Sequence, residues 1–299
     1  MQNQEMRQGI IFALMAYSMW GFAPLYFKAI AEVPATEILM HRVIWSFALM
    51  ALLVAFTGQL GAVRQLLRNP KQLWTLVATA ILVAGNWLIF IWAVNSGRML
   101  EASLGYFINP LVNVALGMVF LGERLPKMQL AAVGVAVIGV VVELIQFGSL
   151  PWISLALAVS FGLYGLLRKK VALQSVTGLF VETSLMLPVA LLFWWQLDSP
   201  TADLTSNSLD LNLLILAAGV VTTLPLLAFA AAAVRIPFYM LGLFQYIGPS
   251  LMFILATTLY GETLDPAMLT TFCFIWAALL MFTLDLWRRS RAKTMTAKA

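Results

Sequence analysis

Among the ionisable residues within or at the edge of long apolar runs, His41, Arg42, Glu101 and Glu182 stand out. A charge at such a position is unfavourable unless paired or wetted, so residues of this kind mark ion paths, gates and proton relays. Imidazole and carboxyl groups carry protons in these settings. His41, Glu101 and Glu182 are therefore candidates for gating or proton coupling, with Arg42 as a fixed charge among them. A second set is polar but uncharged: Asn86, Asn109, Asn113, Thr222 and Gln245. Asn109 and Asn113 are four apart on one helix face, with Tyr106 a turn earlier. Pro24, Pro110, Pro225 and Pro249 lie in the same runs. Each proline frees the carbonyl one turn back and is expected to break its helix. The aromatic residues Trp20, Trp45, Phe90, Tyr106 and Tyr246 surround this level and would suit a small molecule with an apolar body. Together these residues point to a substrate-binding cavity. Hydrolytic and metal chemistry finds no support. The single histidine excludes an HExxH pair, GxSxG and Walker motifs are missing, and Cys273 is the sole cysteine. The reading is therefore not an enzyme, with no cofactor and no metal.

The elements that must position these residues follow from composition. Hydrophobic residues make up 62% of the 299 and charged residues 10%, too little polar surface to coat a soluble globule. Ten apolar windows are each about the length of a membrane-spanning helix: 9–30, 36–56, 73–94, 101–121, 128–144, 152–167, 178–196, 211–233, 239–259 and 267–286. They are continuous rather than alternating, which excludes a barrel. The first window is longer than the core of a secretory signal and is expected to stay as a helix. The basic residues set the orientation. Arg7, Arg64, Arg68, Lys71, Arg124, Lys127, Arg168, Lys169, Lys170, Arg235, Arg288, Arg289, Arg291, Lys293 and Lys298, fifteen of the 18, fall on one side of a ten-span chain. By the positive-inside rule both termini are cytoplasmic, in a multi-pass protein of the plasma (inner) membrane. The net charge of +5 is this bias, and nucleic acid is not an expected partner.

Shifted by 139 residues, the chain overlays itself. Ile108-Asn109-Pro110 meets Ile247-Gly248-Pro249, Leu121-Gly122-Glu123 meets Tyr260-Gly261-Glu262, and Phe90 meets Phe229. Five helices per repeat is an odd number, so the second copy enters from the opposite side. Inverted repeats are a recurring design of secondary transporters. The expected organisation is all-α: ten transmembrane helices in two inverted five-helix repeats, 9–144 and 152–286, followed by a basic cytoplasmic tail, 287–299.

Several segments resemble a known family: His41-Arg42-Val43-Ile44-Trp45-Ser46, Gly85-Asn86-Trp87-Leu88-Ile89-Phe90, Leu100-Glu101-Ala102-Ser103-Leu104-Gly105-Tyr106-Phe107-Ile108-Asn109-Pro110 and Phe244-Gln245-Tyr246-Ile247-Gly248-Pro249. The chain resembles the EamA-type drug/metabolite transporter superfamily, most closely its RarD group, over nearly its whole length. The resemblance implies an inner-membrane transporter, with export as the direction that fits, but no particular substrate. The expected function is secondary active transport of small metabolites or drugs by alternating access, coupled to protons. A passive channel and a receptor-like scaffold remain as alternatives. Expected partners are a small-molecule substrate, the lipid bilayer and protons.

Depth along the helices adds detail. His41 and Arg42 lie roughly 8–9 Å inside the outer end of their helix, and Glu182 about 6 Å from the cytoplasmic mouth, at 1.5 Å per residue. Arg42 is expected to pair with Glu101, or else with Glu37. Glu182 is too far from Arg42 to pair and should find Arg235 or the 168–170 run. Glu123 should shape a turn. Ala132, Gly134, Ala136 and Gly139 give the fifth helix a small-residue face, to be packed within the chain or in a homodimer.

Overall fold

The structure, a computed structural model, describes residues 2–96, 98–148, 151–197, 199–260 and 266–296; within these, the side chains of 2, 3, 94, 95, 99–101, 103, 146, 147, 266–268 and 290–296 are not described. Among the described residues every regular element is a helix. In chain order they are α1 (Gln2–Ala29), α2 (Ala35–Phe56), α3 (Leu60–Leu67), α4 (Pro70–Asn95), α5 (Met99–Leu121), α6 (Lys127–Phe147), α7 (Trp152–Val171), α8 (Ser175–Trp195), α9 (Leu209–Ala233), α10 (Phe238–Gln245), α11 (Ile247–Thr258) and α12 (Pro266–Thr296). Nine segments among the described residues are long and apolar enough to cross a membrane, with α10 and α11 together forming one of them. The remaining sequence window corresponds to α7, whose last turn carries Arg168, Lys169 and Lys170.

The helices present large apolar side chains outward along their length: Leu52, Ile81, Val119, Leu224 and Leu280 are all exposed. In water such a surface would aggregate; in lipid it is the solvated face. The short α3 is different. Val63 and Leu66 bury one side against Val54, Leu76 and Val181, while Leu60 and Leu67 stay exposed. That pattern suits a helix lying at the membrane surface.

Helix ends follow local chemistry. Ser208 caps α9 by accepting the Leu211 N–H at 3.2 Å. Gly122, with φ 64°, ends α5 in the left-handed region, and the Glu123 N–H then reaches back to the Gly117 carbonyl at 3.1 Å.

The prolines depart from expectation. Pro24, Pro110 and Pro225 sit inside unbroken α1, α5 and α9. One missing N–H leaves enough of the ladder on either side to carry the helix through. The interruption that does occur, between α10 and α11, falls at Tyr246. Pro249 lies in the first turn of α11, where a proline gives up no ladder bond.

The long helices pack in definite pairs: α1 on α9 and α11, α2 on α8 and α9, α4 on α7, α5 on α7 and α10, and α6 on α12. Small residues make the closest approaches. A Cβ on Gly219 would stand 2.6 Å from the Trp45 carbonyl oxygen, where α9 crosses α2. A Cβ on Gly242 would stand 2.7 Å from the Pro110 carbonyl oxygen, where α10 crosses α5. Ala132 and Ala136 are fully buried, and Gly139 abuts Phe274 and Thr271 of α12. Much of the small-residue face of α6 is thus filled from within the chain.

Candidate functional site: a cavity between the helices

A cavity of about 170 Å³ opens among eight of these helices. From α1 come Tyr17, Trp20, Tyr26 and Phe27. Arg42 comes from α2, Asn86, Trp87 and Phe90 from α4, and Tyr106 and Asn109 from α5. Leu157 and Phe161 of α7, Thr222 of α9, Gln245 of α10, and Gly248, Pro249 and Met252 of α11 complete the wall. Tyr17, Trp20, Ala23 and Phe27 are three or four apart and so form one stripe of α1.

The polar residues of the wall are held by neighbouring helices. Arg42 donates its Nε–H to Thr222 Oγ1 at 2.9 Å, and its guanidinium lies 4.6 Å from the Trp87 ring centre. Asn86 donates from Nδ2 to the Leu157 carbonyl and to Ser160 Oγ, both at 2.9 Å. Asn109 donates to the Ala158 carbonyl at 2.5 Å. Behind the wall, Asn113 donates to Asn109 Oδ1 at 3.2 Å and to Gln245 Oε1 at 2.9 Å. Asn113 therefore fixes both amides, each with its oxygen occupied.

Seven of the ten residues expected to bind substrate meet at this cavity: Trp20, Asn86, Phe90, Tyr106, Asn109, Thr222 and Gln245. Three do not line it. Asn113 stands one layer back. Tyr246 is fully buried and donates its hydroxyl to the Phe107 carbonyl at 3.2 Å. Trp45 turns to the far side of α2, where it packs with Ile30, Val33, Leu211 and Ile215 and donates to His41 Nδ1 at 3.3 Å. Depth alone had grouped these residues; helix phase separates them. Tyr26, Phe27 and Phe161 of the wall were missed, although the stripe spacing of α1 was a signal for Phe27.

The charges follow expectation in part: Glu182 meets Arg168 of the 168–170 run. Arg42 does not pair with Glu37, and the side chain of Glu101 lies outside the described residues. Glu37 faces the loop after α8 and accepts from Ser199 Oγ at 2.6 Å and Thr201 Oγ1 at 2.7 Å. His41 Nε2 is 3.6 Å from Glu37 Oε1, on the same α2 face. Arg42, the next residue, is turned about 100° away toward the cavity. In the same loop Asp203 accepts from the Thr205 hydroxyl and N–H, which holds its carboxyl below the usual range.

Glu182 is fully buried on α8. Thr79 of α4 donates to its Oε1 at 2.5 Å, and Arg168 Nη1 of α7 stands 3.6 Å away. Among the described residues, Glu182 Oε2 and both terminal nitrogens of Arg168 have no hydrogen-bond partner. A space of about 10 Å³ separates Glu182 from the Arg42–Thr222 pair, room for about one water.

On the side of Glu5, Glu123 and Arg235 two layers of contacts lie below the cavity. Rings pack first: Trp20 on Phe161 at 5.8 Å, Phe161 on Phe229 at 5.4 Å, and Tyr164 on Phe229 at 6.0 Å. Beyond them, Glu123 accepts the Phe238 and Tyr239 N–H groups at 2.7 and 2.9 Å, at the first turn of α10. Lys169 lies 3.9 Å from Glu123 and donates to the Ala233 and Ile236 carbonyls. Arg235 pairs with Glu5 at 3.1 Å.

Comparison with known proteins agrees on one family. The EamA-like transporter family model matches residues 7–145. Protein RarD of Salmonella typhimurium is 56% identical over 286 residues, covering 95% of this chain and 97% of that protein. An uncharacterized transporter of Vibrio cholerae is 54% identical over 95% of this chain and 94% of its own length. A Pseudomonas aeruginosa protein named chloramphenicol-sensitive protein RarD is 33% identical over 92% and 93%. A solved crystal structure superposes with a TM-score of 0.71 at 18% identity, over 92% of this chain and 97% of the other, which speaks for the fold. With an apolar multi-helix body and relatives of this kind over nearly its full length, the chain is a membrane transporter belonging to the EamA-like transporter family, alongside the RarD proteins.

Proposed function

We propose that the chain is a secondary active exporter that carries small molecules across the inner membrane by alternating access, with the cavity as its substrate site. One observation carries this reading: the wall is built jointly by both halves of the chain, with α1, α2, α4 and α5 on one hand and α7, α9, α10 and α11 on the other. A site at the junction of two repeats is where rocking of one half against the other changes its access.

Counting α7 as a span gives ten, in units 9–144 and 152–286 with the tail 287–299. The packing pairs support an exchange of the two units. If α1, α2, α4, α5 and α6 are swapped with α7, α8, α9, α10–α11 and α12, then α1 on α9 becomes α7 on α4, and α5 on α7 becomes α11 on α1. Both partner pairs are present. Residues related by the repeat also touch, for Phe107 and Tyr246 are 139 apart and share a hydrogen bond. Such self-pairing is expected close to a two-fold axis. With both termini in the cytoplasm, the cavity faces outward, and the aromatic layer with Glu123, Lys169 and the Arg235–Glu5 pair forms the inner gate. Glu182, buried with Thr79 and Arg168 behind Arg42, is the proton site we assign. The family resemblance supports export.

The test begins with metabolite profiles of strains lacking or overproducing the protein. Compounds that differ between them are then measured in proteoliposomes with and without a pH gradient. Saturable flux that responds to the gradient is expected. Linear, non-saturating flux would replace the carrier with a channel, and saturable flux blind to the gradient would remove the proton.

A further inference from the structure

Among the described residues, the partners of Arg42 at the cavity leave its guanidinium only partly engaged. Thr222 engages Nε only. Among the described residues no carboxylate lies within ion-pair distance of the guanidinium, and neither terminal amino group donates a hydrogen bond. The guanidinium lies over Trp87, and Arg42 lines the cavity. Charged groups at membrane depth are normally matched by a partner. A guanidinium with its terminal N–H fork free is a planar, two-pronged donor whose geometry matches a carboxylate.

We propose that the cavity binds an organic anion: a flat, apolar molecule bearing a single carboxylate, which docks on the terminal nitrogens of Arg42. This rests on the transport reading and adds to it the class of molecule carried. Trp20, Phe90, Tyr106 and Phe161 receive the apolar body. Gln245, whose oxygen is taken by Asn113, offers its Nε2 to a further acceptor. The described lining residues include no carboxylate, so an ammonium group on the ligand would find no counter-charge there. The space, about 170 Å³, holds roughly a dozen water-sized groups at 10–15 Å³ each. That is the size of one ring with a short carboxylate arm.

Ligand binding to the purified full-length chain, followed by tryptophan fluorescence and thermal stabilisation, tests this without requiring transport. The probes are phenylacetate and indole-3-acetate, their uncharged amides, and phenethylamine. We expect the acids to bind at least tenfold more tightly than the matched amides, with the amine weaker still. Arg42→Gln should bring the acids down to the level of the amides and leave the amides unchanged, and Arg42→Lys should retain part of the preference. Amides or amine binding as well as the acids, or no acid binding at millimolar concentration, overturns the proposal on the native chain alone. Preference for the acid that survives in a folded Arg42→Gln chain also overturns it. The two readings separate cleanly. Arg42-dependent binding of acids without saturable flux sinks transport and leaves the anion site standing. Saturable flux of neutral or cationic compounds with no preference for acids does the reverse.

Discussion

Glu182 is a fully buried charge and Arg42 a partly buried one, and their surroundings assign them different work. Glu182 has a hydroxyl donor and a cation beside it, with an oxygen and two guanidinium nitrogens left over. A buried pair adds little over an apolar replacement, but removing one member strands the other. Arg168→Ala should therefore lower stability by about 3–5 kcal/mol, read as a loss of thermal stability in detergent, and Arg168→Met combined with Glu182→Gln should restore most of it. Glu182→Gln alone should fold and keep binding ligand, while its flux in proteoliposomes stops responding to a pH gradient. A response as large as that of the native chain would make Glu182 structural. Thr222→Val removes the acceptor that orients Arg42. Its expected signature is several-fold weaker binding of carboxylate probes with amide probes untouched.

The helices themselves show what a sequence reveals and what it hides. The order and approximate ends of the nine long apolar spans among the described residues were legible because about 20 apolar residues in a row have few alternatives in lipid, whereas the short α3 and the break at Tyr246 were not. The depth of Asn86, Asn109, Thr222 and Gln245 was legible for the same reason, since rise per residue is fixed. Rotation was not. Trp45 and Arg42 are three positions apart, and only the packing of α9 on α2 through Gly219 decides which of them meets the cavity. Charge pairing was legible in part, since the 168–170 run does bring Arg168 to Glu182, but Ser199, Thr201 and Thr79, the hydroxyl donors to Glu37 and Glu182, are too common to carry a signal. Two changes probe these contacts. Gly219→Ala places a methyl against the Trp45 backbone and should destabilise the chain by about 1–3 kcal/mol through overpacking, whereas Gly134→Ala, which meets nothing within 4 Å, should be neutral in the same melt.

In the proposed carrier the barrier below the cavity is held by contacts such as Glu123 with the first turn of α10 and Glu5 with Arg235, which join the two sequence halves. Alternating access requires that barrier to part. After Cys273→Ser, cysteines at Glu5 and Arg235, joined by a short bifunctional thiol reagent, should hold it shut. Flux should stop, carboxylate binding should persist, and a reducible linker should return flux when cleaved. Continued flux in the fully cross-linked chain would place the moving boundary elsewhere. The Glu123 carboxylate sharpens this point. It comes from the turn after α5, yet it takes the first free N–H groups of α10, in the other half. Each inward opening in the proposed cycle has to surrender these charge-assisted bonds, together worth about 3–6 kcal/mol at 1.5–3 each. Their strength therefore acts as a timer. It lengthens the wait in the outward-facing form, and with it the turnover time of an unloaded carrier.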